Sequence, residues 1–162
     1  MKERKITALI REYAPEELPQ EYRQLVDAAK AATRRSYAPY SHFHVGAAIL
    51  LANGETVAGA NQENAAFSVT ECGERSACFY AASQYPDVPF LKIAIAASED
   101  VEGSPEPVFQ KKPISPCGVC RQALAEYEAK QGSDIEVILY GSEAIYILPS
   151  VKSLLPLCFT EF

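Results

Sequence analysis

Cys72, Glu74, Cys117 and Cys120 are the residues whose types and spacing could do chemistry together. Three thiolates can hold one zinc ion and leave its fourth tetrahedral position open, which separates a catalytic zinc from a structural one. Glu74 stands two residues after the first cysteine, close enough to reach a zinc-bound water without ligating the metal. Three thiolates and Zn²⁺ sum to a charge of −1, which weakens the metal as a Lewis acid. Arg75 and Arg121 each follow a cysteine closely. Either could donate hydrogen bonds to sulfur and draw charge back; the plainer reading makes both surface charges. A lone C-x-x-C could also be a redox pair. Cys78 and Cys158 stand in apolar settings without a partner motif and read as small buried hydrophobes.

Two helix starts must bring these residues to one point. Thr70 is a candidate cap for a helix over residues 72–84, and Ser115 with Pro116 offers a cap and a first position for one over 117–130. Cys72 then falls in one first turn, and Cys117 and Cys120 share a face in the other. The positive end of each helix lowers thiol pKa values, and metal binding completes the deprotonation.

An earlier helix is expected over 20–35, where Tyr22, Leu25, Val26, Ala29 and Ala32 form a one-sided apolar stripe. Residues 43–51 read as a strand buried on both faces, joined at Asn53-Gly54 by a two-residue turn to a second strand over 55–60. Further strands are expected over 91–97, 135–140 and 144–148, with a short helical turn over 150–155. Residues 98–114 are acidic and proline-rich and read as a loop, and residues 1–19 as an extended arm or edge strand. The order predicts one α/β domain over 1–162, a mixed five-stranded sheet flanked by helices on both faces. Such sheets bind ligands at strand ends where helices begin, which is where both cysteine segments fall.

The 162 residues, 48% apolar and 22% charged, suit one globular domain. Five cysteines, an odd number including a C-x-x-C, favour reduced thiols and a metal over a disulfide framework. No apolar run of signal-peptide or membrane-span length is present, so a cytoplasmic protein with no membrane partner is expected. The net charge is −6 and the basic residues are scattered, which argues for a small polar ligand and against a nucleic-acid polymer.

Five segments together carry a resemblance. They are 37–48 (Tyr-Ala-Pro-Tyr-Ser-His-Phe-His-Val-Gly-Ala-Ala), 61–66 (Asn-Gln-Glu-Asn-Ala-Ala), 72–75 (Cys-Gly-Glu-Arg), 115–122 (Ser-Pro-Cys-Gly-Val-Cys-Arg-Gln) and 154–156 (Leu-Leu-Pro). In these the chain resembles the small homotetrameric zinc-dependent cytidine deaminases, from about residue 20 to 159. The cysteine–glutamate pattern is close to the signature of zinc deaminases. The resemblance implies a three-layer cytidine-deaminase-like fold, a homotetramer and one Zn²⁺ per chain held by Cys72, Cys117 and Cys120. It implies hydrolysis at C4 of the cytosine ring, with Glu74 taking the water's proton, delivering it to N3 and later helping to protonate the leaving ammonia. Asn61 and Glu63 match the family's ribose-binding pair, Phe43 its aromatic wall against the pyrimidine, and the N–H groups of Gly73 and Glu74 its donors to the pyrimidine carbonyl. Phe159 matches a phenylalanine that reaches a neighbour's active site.

The chain departs from the family at Gly73, where alanine is usual, at Phe67, where tyrosine is frequent, and at Leu157 and Cys158. The implied activity is deamination of cytidine and 2'-deoxycytidine in pyrimidine salvage. The alternatives are a related deaminase of a modified cytosine nucleoside and a non-catalytic zinc-stabilised binding domain.

Overall fold

The computed structural model describes residues 1–160. Its strands are β1 (Arg11–Tyr13), β2 (Phe43–Leu51), β3 (Thr56–Ala60), β4 (Phe90–Glu99), β5 (Val108–Phe109), β6 (Glu136–Tyr140) and β7 (Ile145–Leu148). Its helices are α1 (Gln20–Thr33), α2 (Gly73–Gln84) and α3 (Gly118–Gln131), and single 3₁₀ turns lie at Pro15–Glu17, Phe67–Val69 and Val151–Ser153. The strands form one sheet in the order β1-β7-β6-β4-β2-β3, with β5 paired to β4. Only β4 and β6 run parallel; the other pairs are antiparallel.

The expected five strands are the contiguous run β7-β6-β4-β2-β3, but the sheet has seven. β1 turns the end of the N-terminal arm into an edge strand on β7, and β5 interrupts the segment expected to be loop. Both are too short, at three and two residues, to show an alternating pattern.

Helices cover both faces of the sheet. The stripe on α1 packs Tyr22, Leu25, Val26 and Ala29 against Ala48, Ala94, Ala96, Ile138 and Ile147. On the opposite face Ala77, Cys78 and Ala81 of α2 and Leu124 and Ala125 of α3 meet Ile49, Ile93, Ile95 and Val137. β4 is buried from Ile93 to Ala97 because both layers cover it. Each fully buried isoleucine or leucine contributes roughly 1.5–3 kcal/mol relative to an exposed one.

The turn after β2 is longer than two residues. Leu51 N–H donates to Glu55 O (2.9 Å) around a three-residue loop, and Gly54 N–H returns to Leu51 O (3.0 Å). Gly54 alone takes a positive φ, +87°, while the Asn53 side chain accepts from Glu55 N–H (3.0 Å). Among the described residues, no helix is long and apolar enough to cross a membrane.

Candidate metal centre and active-site cleft

Cys72 and Cys117 are themselves the residues that begin α2 and α3. Each stands at the N-cap in extended backbone conformation, with its side chain making no capping bond. The expected caps serve elsewhere: Thr70 Oγ1 accepts from Asn64 N–H (3.2 Å), and Ser115 Oγ from Arg121 Nη2 (2.8 Å). An N-cap cysteine keeps its sulfur available at the positive end of the helix. Cys120, one turn into α3, is fully buried.

The three sulfurs lie within 4.8 Å of one another, with Cys72–Cys117 at 3.9 Å and Cys117–Cys120 at 3.5 Å. Sulfurs about 2.3 Å from a tetrahedral zinc stand about 3.8 Å apart, so the triad already has the spacing a zinc ion requires. The Cys72 thiol is held down at about 5, first by a hydrogen bond from Cys120 and against burial, then by Arg75 and Cys117. Cys120 is pushed up by the same bond and by burial. Metal binding and thiol deprotonation are linked at a site of this kind.

Arg75 Nη2 stands 3.7 Å from Cys72 Sγ and 3.4 Å from Thr70 O, while its Nε pairs with Glu71 Oε1 at 3.1 Å. It is placed to donate to a ligand sulfur. Arg121 is not. Its Nε donates to Pro116 O (2.8 Å), Nη1 to Leu154 O (2.9 Å) and Nη2 to Ser115 Oγ (2.8 Å). The guanidinium fork faces the segment leading to Cys117, so it braces that segment and spends its donors on oxygens instead of sulfur.

Glu74 sits in the first turn of α2 and is 4% exposed. Burial pushes its carboxyl up to about 7, and the neighbouring Cys72 adds to that rise. Gly73 and Glu74 both occupy the helix start, where backbone N–H groups have no partner within the helix. A Cβ on Gly73 would lie 2.7 Å from Val45 O and 3.3 Å from Ala60 Cα and Asn61 N. Glycine therefore lets α2 begin directly against the ends of β2 and β3.

A cleft of about 470 Å³ opens at this point, with Phe43, Asn61, Glu63, Cys72, Glu74 and Cys117 in its wall. That volume suits a small polar ligand. The Asn61 side chain is a brace, with Oδ1 accepting from Val45 N–H (2.8 Å) and Nδ2 donating to Phe43 O (2.9 Å). Glu63 Oε2 accepts from Tyr40 N–H (2.9 Å) and Ser41 N–H (3.2 Å). Hydrogen bonds from Ser41 and Tyr40 lower its pKa below the usual carboxylate value. Phe159 is not in this wall. Its backbone is pinned to α3, donating to Gln122 Oε1 (3.3 Å) and accepting from Gln122 Nε2 (2.6 Å), and the residue is 62% exposed. Ser41, Thr70, Glu71, Ile114 and Ser115 also line the cleft. Their one signal in the sequence is adjacency to Phe43, Cys72 and Cys117.

Residues 19–132 match the family model described as the cytidine and deoxycytidylate deaminase zinc-binding region. The chain belongs to this deaminase family. The deaminase metal is zinc, in keeping with the sulfur spacing. The chain is 39% identical over 137 residues to a cytidine deaminase of Halalkalibacterium halodurans, covering 84% of this deaminase and 92% of that one. It is 43% identical over 104 residues to a cytidine deaminase of Sporosarcina psychrophila, covering 64% and 68% of the two chains. The crystal structure of cytidine deaminase from Burkholderia pseudomallei superposes with a TM-score of 0.68 at 35% identity, covering 85% of this chain and 98% of that one. The three-layer fold is therefore that of the cytidine deaminases.

Proposed function

We propose that this chain, as a single deaminase domain over residues 1–162, hydrolyses the exocyclic amine of cytidine and 2'-deoxycytidine to give uridine or 2'-deoxyuridine and ammonia. The observation that carries this reading is a buried carboxylate, Glu74, set beside a zinc-spaced cysteine triad in one cleft. Cytidine deaminases among its relatives support the substrate.

Cys72, Cys117 and Cys120 would hold the zinc. Bound there, it supplies the Lewis acidity that makes water nucleophilic near neutral pH. Glu74 accepts one proton of the water and passes it to ring N3 as oxygen bonds to C4; it then carries the remaining proton of the new hydroxyl to the amino group, and the C4–N bond breaks to leave a C4 carbonyl and ammonia. A carboxyl held at about 7 can both take and return a proton at neutral pH. Gly73 and Glu74 N–H groups meet the ring carbonyl, and Phe43 covers the ring. Glu63 and Asn61 take the ribose hydroxyls, since each keeps hydrogen-bonding capacity beyond the bonds that hold it in place. Arg75 donates to Cys72 and offsets the excess negative charge of three thiolates.

Glu74→Gln preserves shape but cannot carry the proton. The variant should keep one zinc per chain while the ultraviolet assay on cytidine shows turnover reduced about 10³-fold or more. Near-normal turnover by a zinc-loaded variant would remove Glu74 from this role.

The assembly proposed is a homotetramer working in the cytoplasm. Phe67, Val69, Tyr80, Val119, Leu157 and Phe159 are all more than half exposed, an apolar group that a partner copy would cover. Phe159, outside its own cleft, would then reach a neighbour's. All five cysteines are unpaired, which suits a reducing compartment.

A further inference from the structure

We propose that Asp100, by gripping both histidines of the chain, forms a clasp that positions residues 40–43 for nucleoside binding from the side of β2 opposite the cleft. The proposal rests on the nucleoside reading of that cleft.

Residues 40–43 hold three parts of the site in sequence. Tyr40 and Ser41 N–H groups fix Glu63, Phe43 O receives Asn61, and Phe43 itself lines the cleft. Between them, His42 bends the chain with φ +55°, the one non-glycine residue at positive φ among those described. Histidine visits this region more readily than most residues, but the conformation still has to be held by its surroundings. His42 N–H donates to Ala38 O (3.1 Å), and Asp100 N–H donates to His42 O (3.1 Å).

The side chains complete the grip. His42 Nδ1 is 3.3 Å from Asp100 Oδ2, and His44 Nε2 is 3.2 Å from Asp100 Oδ1. Alternation along β2 puts His44 on the side opposite Phe43, and His42 Nδ1 reaches the same Asp100 carboxylate that His44 meets. Asp100 follows directly on the last β2–β4 pair, Phe43 with Glu99. His44 Nδ1 meets Ser36 Oγ, just beyond α1. One neutral tautomer of His44 satisfies everything: Nε2–H donates to Asp100, and Nδ1 accepts from the Ser36 hydroxyl. The clasp therefore joins the exit of α1, the start of β2 and the end of β4.

Exposure decides what this arrangement can do. The side chains of His42 and Asp100 are 63% and 52% exposed, and that of His44 is 16% exposed. Exposed pairs add little to global stability. The same contacts nonetheless fix the angle of a four-residue segment on which Glu63, Asn61 and the ring-covering Phe43 all depend. The clasp residues are positioning residues, and their removal should appear in substrate binding before it appears in folding.

The test compares wild type, Asp100→Ala, His42→Gly and the double variant in steady-state kinetics on cytidine, with zinc content and thermal midpoint measured alongside. Either single substitution should raise KM about tenfold while leaving kcat within about twofold, a loss of ground-state positioning. Zinc should stay at one per chain, and the double variant should be no worse than the worse single one, because both break one device. Glycine suits φ +55°, so His42→Gly decides the matter if Asp100→Ala fails to fold. Unchanged KM in an active, folded His42→Gly protein overturns the clasp and leaves the cytidine reading intact. Wild-type protein with no turnover of cytidine overturns that reading, and the clasp's role in substrate binding with it.

Discussion

Gly73 decides how closely α2 can approach the sheet. Two effects of Gly73→Ala oppose each other. Alanine is favoured over glycine in a helix by about 1 kcal/mol. Its methyl group would stand 2.7 Å from the Val45 carbonyl, a backbone atom that cannot rotate away. Overpacking of this kind costs about 1–3 kcal/mol, so steric cost should win. Gly73→Ala should lower the thermal midpoint by several degrees, and a higher midpoint would show that helix propensity dominates. From sequence alone, glycine at this position registers only as a poor helix former, because the Val45 oxygen it faces is distant in the chain. The zinc triad and Glu74 are legible because their spacing encodes their chemistry locally. The destination of Arg121 is not, because adjacency to a cysteine does not say which way a guanidinium points.

Among the elements, α3 and the segment leading into it set the geometry of two of the three sulfurs. Arg121 reaches back to Ser115 and Pro116 and across to Leu154, so one side chain ties the entry of α3 to the C-terminal segment. Arg121→Ala should leave the helix formed but loosen Cys117. Chelator competition should then show zinc held about tenfold less tightly, a typical loss for a residue supporting a metal ligand. Unchanged zinc affinity would make the brace irrelevant to the centre. A second tie lies at the other end of α3. Buried Glu128 accepts from Ile135 N–H (2.8 Å), Val151 N–H (2.9 Å) and Ser150 Oγ (2.8 Å), joining the helix to the entry of β6 and the last 3₁₀ turn.

The apolar stripe locates α1, and α2, α3 and five of the seven strands also fall within a few residues of where the sequence places them. The helix starts shifted for a specific reason. Thr70 and Ser115 have the right chemistry for caps, but Asn64 and Arg121 occupy their oxygens, and cysteine stands at each N-cap instead.

The whole molecule carries a net charge of −6, a cleft of about 470 Å³ and several large apolar side chains that are more than half exposed. Apolar side chains this exposed would be a liability on a monomer. Light scattering should therefore report a mass near four times 17.7 kDa, about 71 kDa. A monomer at micromolar concentration would remove the tetramer and Phe159's place in a neighbour's cleft. The proposed function requires this fold to assemble one zinc-dependent site for hydrolysing the cytosine amine of a nucleoside. The most direct measurement strips the metal, restores zinc in steps and follows cytidine conversion by ultraviolet absorbance at each step. The stripped protein should show no turnover, and activity should then rise in proportion to zinc and level at one equivalent per chain. Fully loaded protein that leaves cytidine unchanged, or stripped protein that converts it at the full rate, would contradict it.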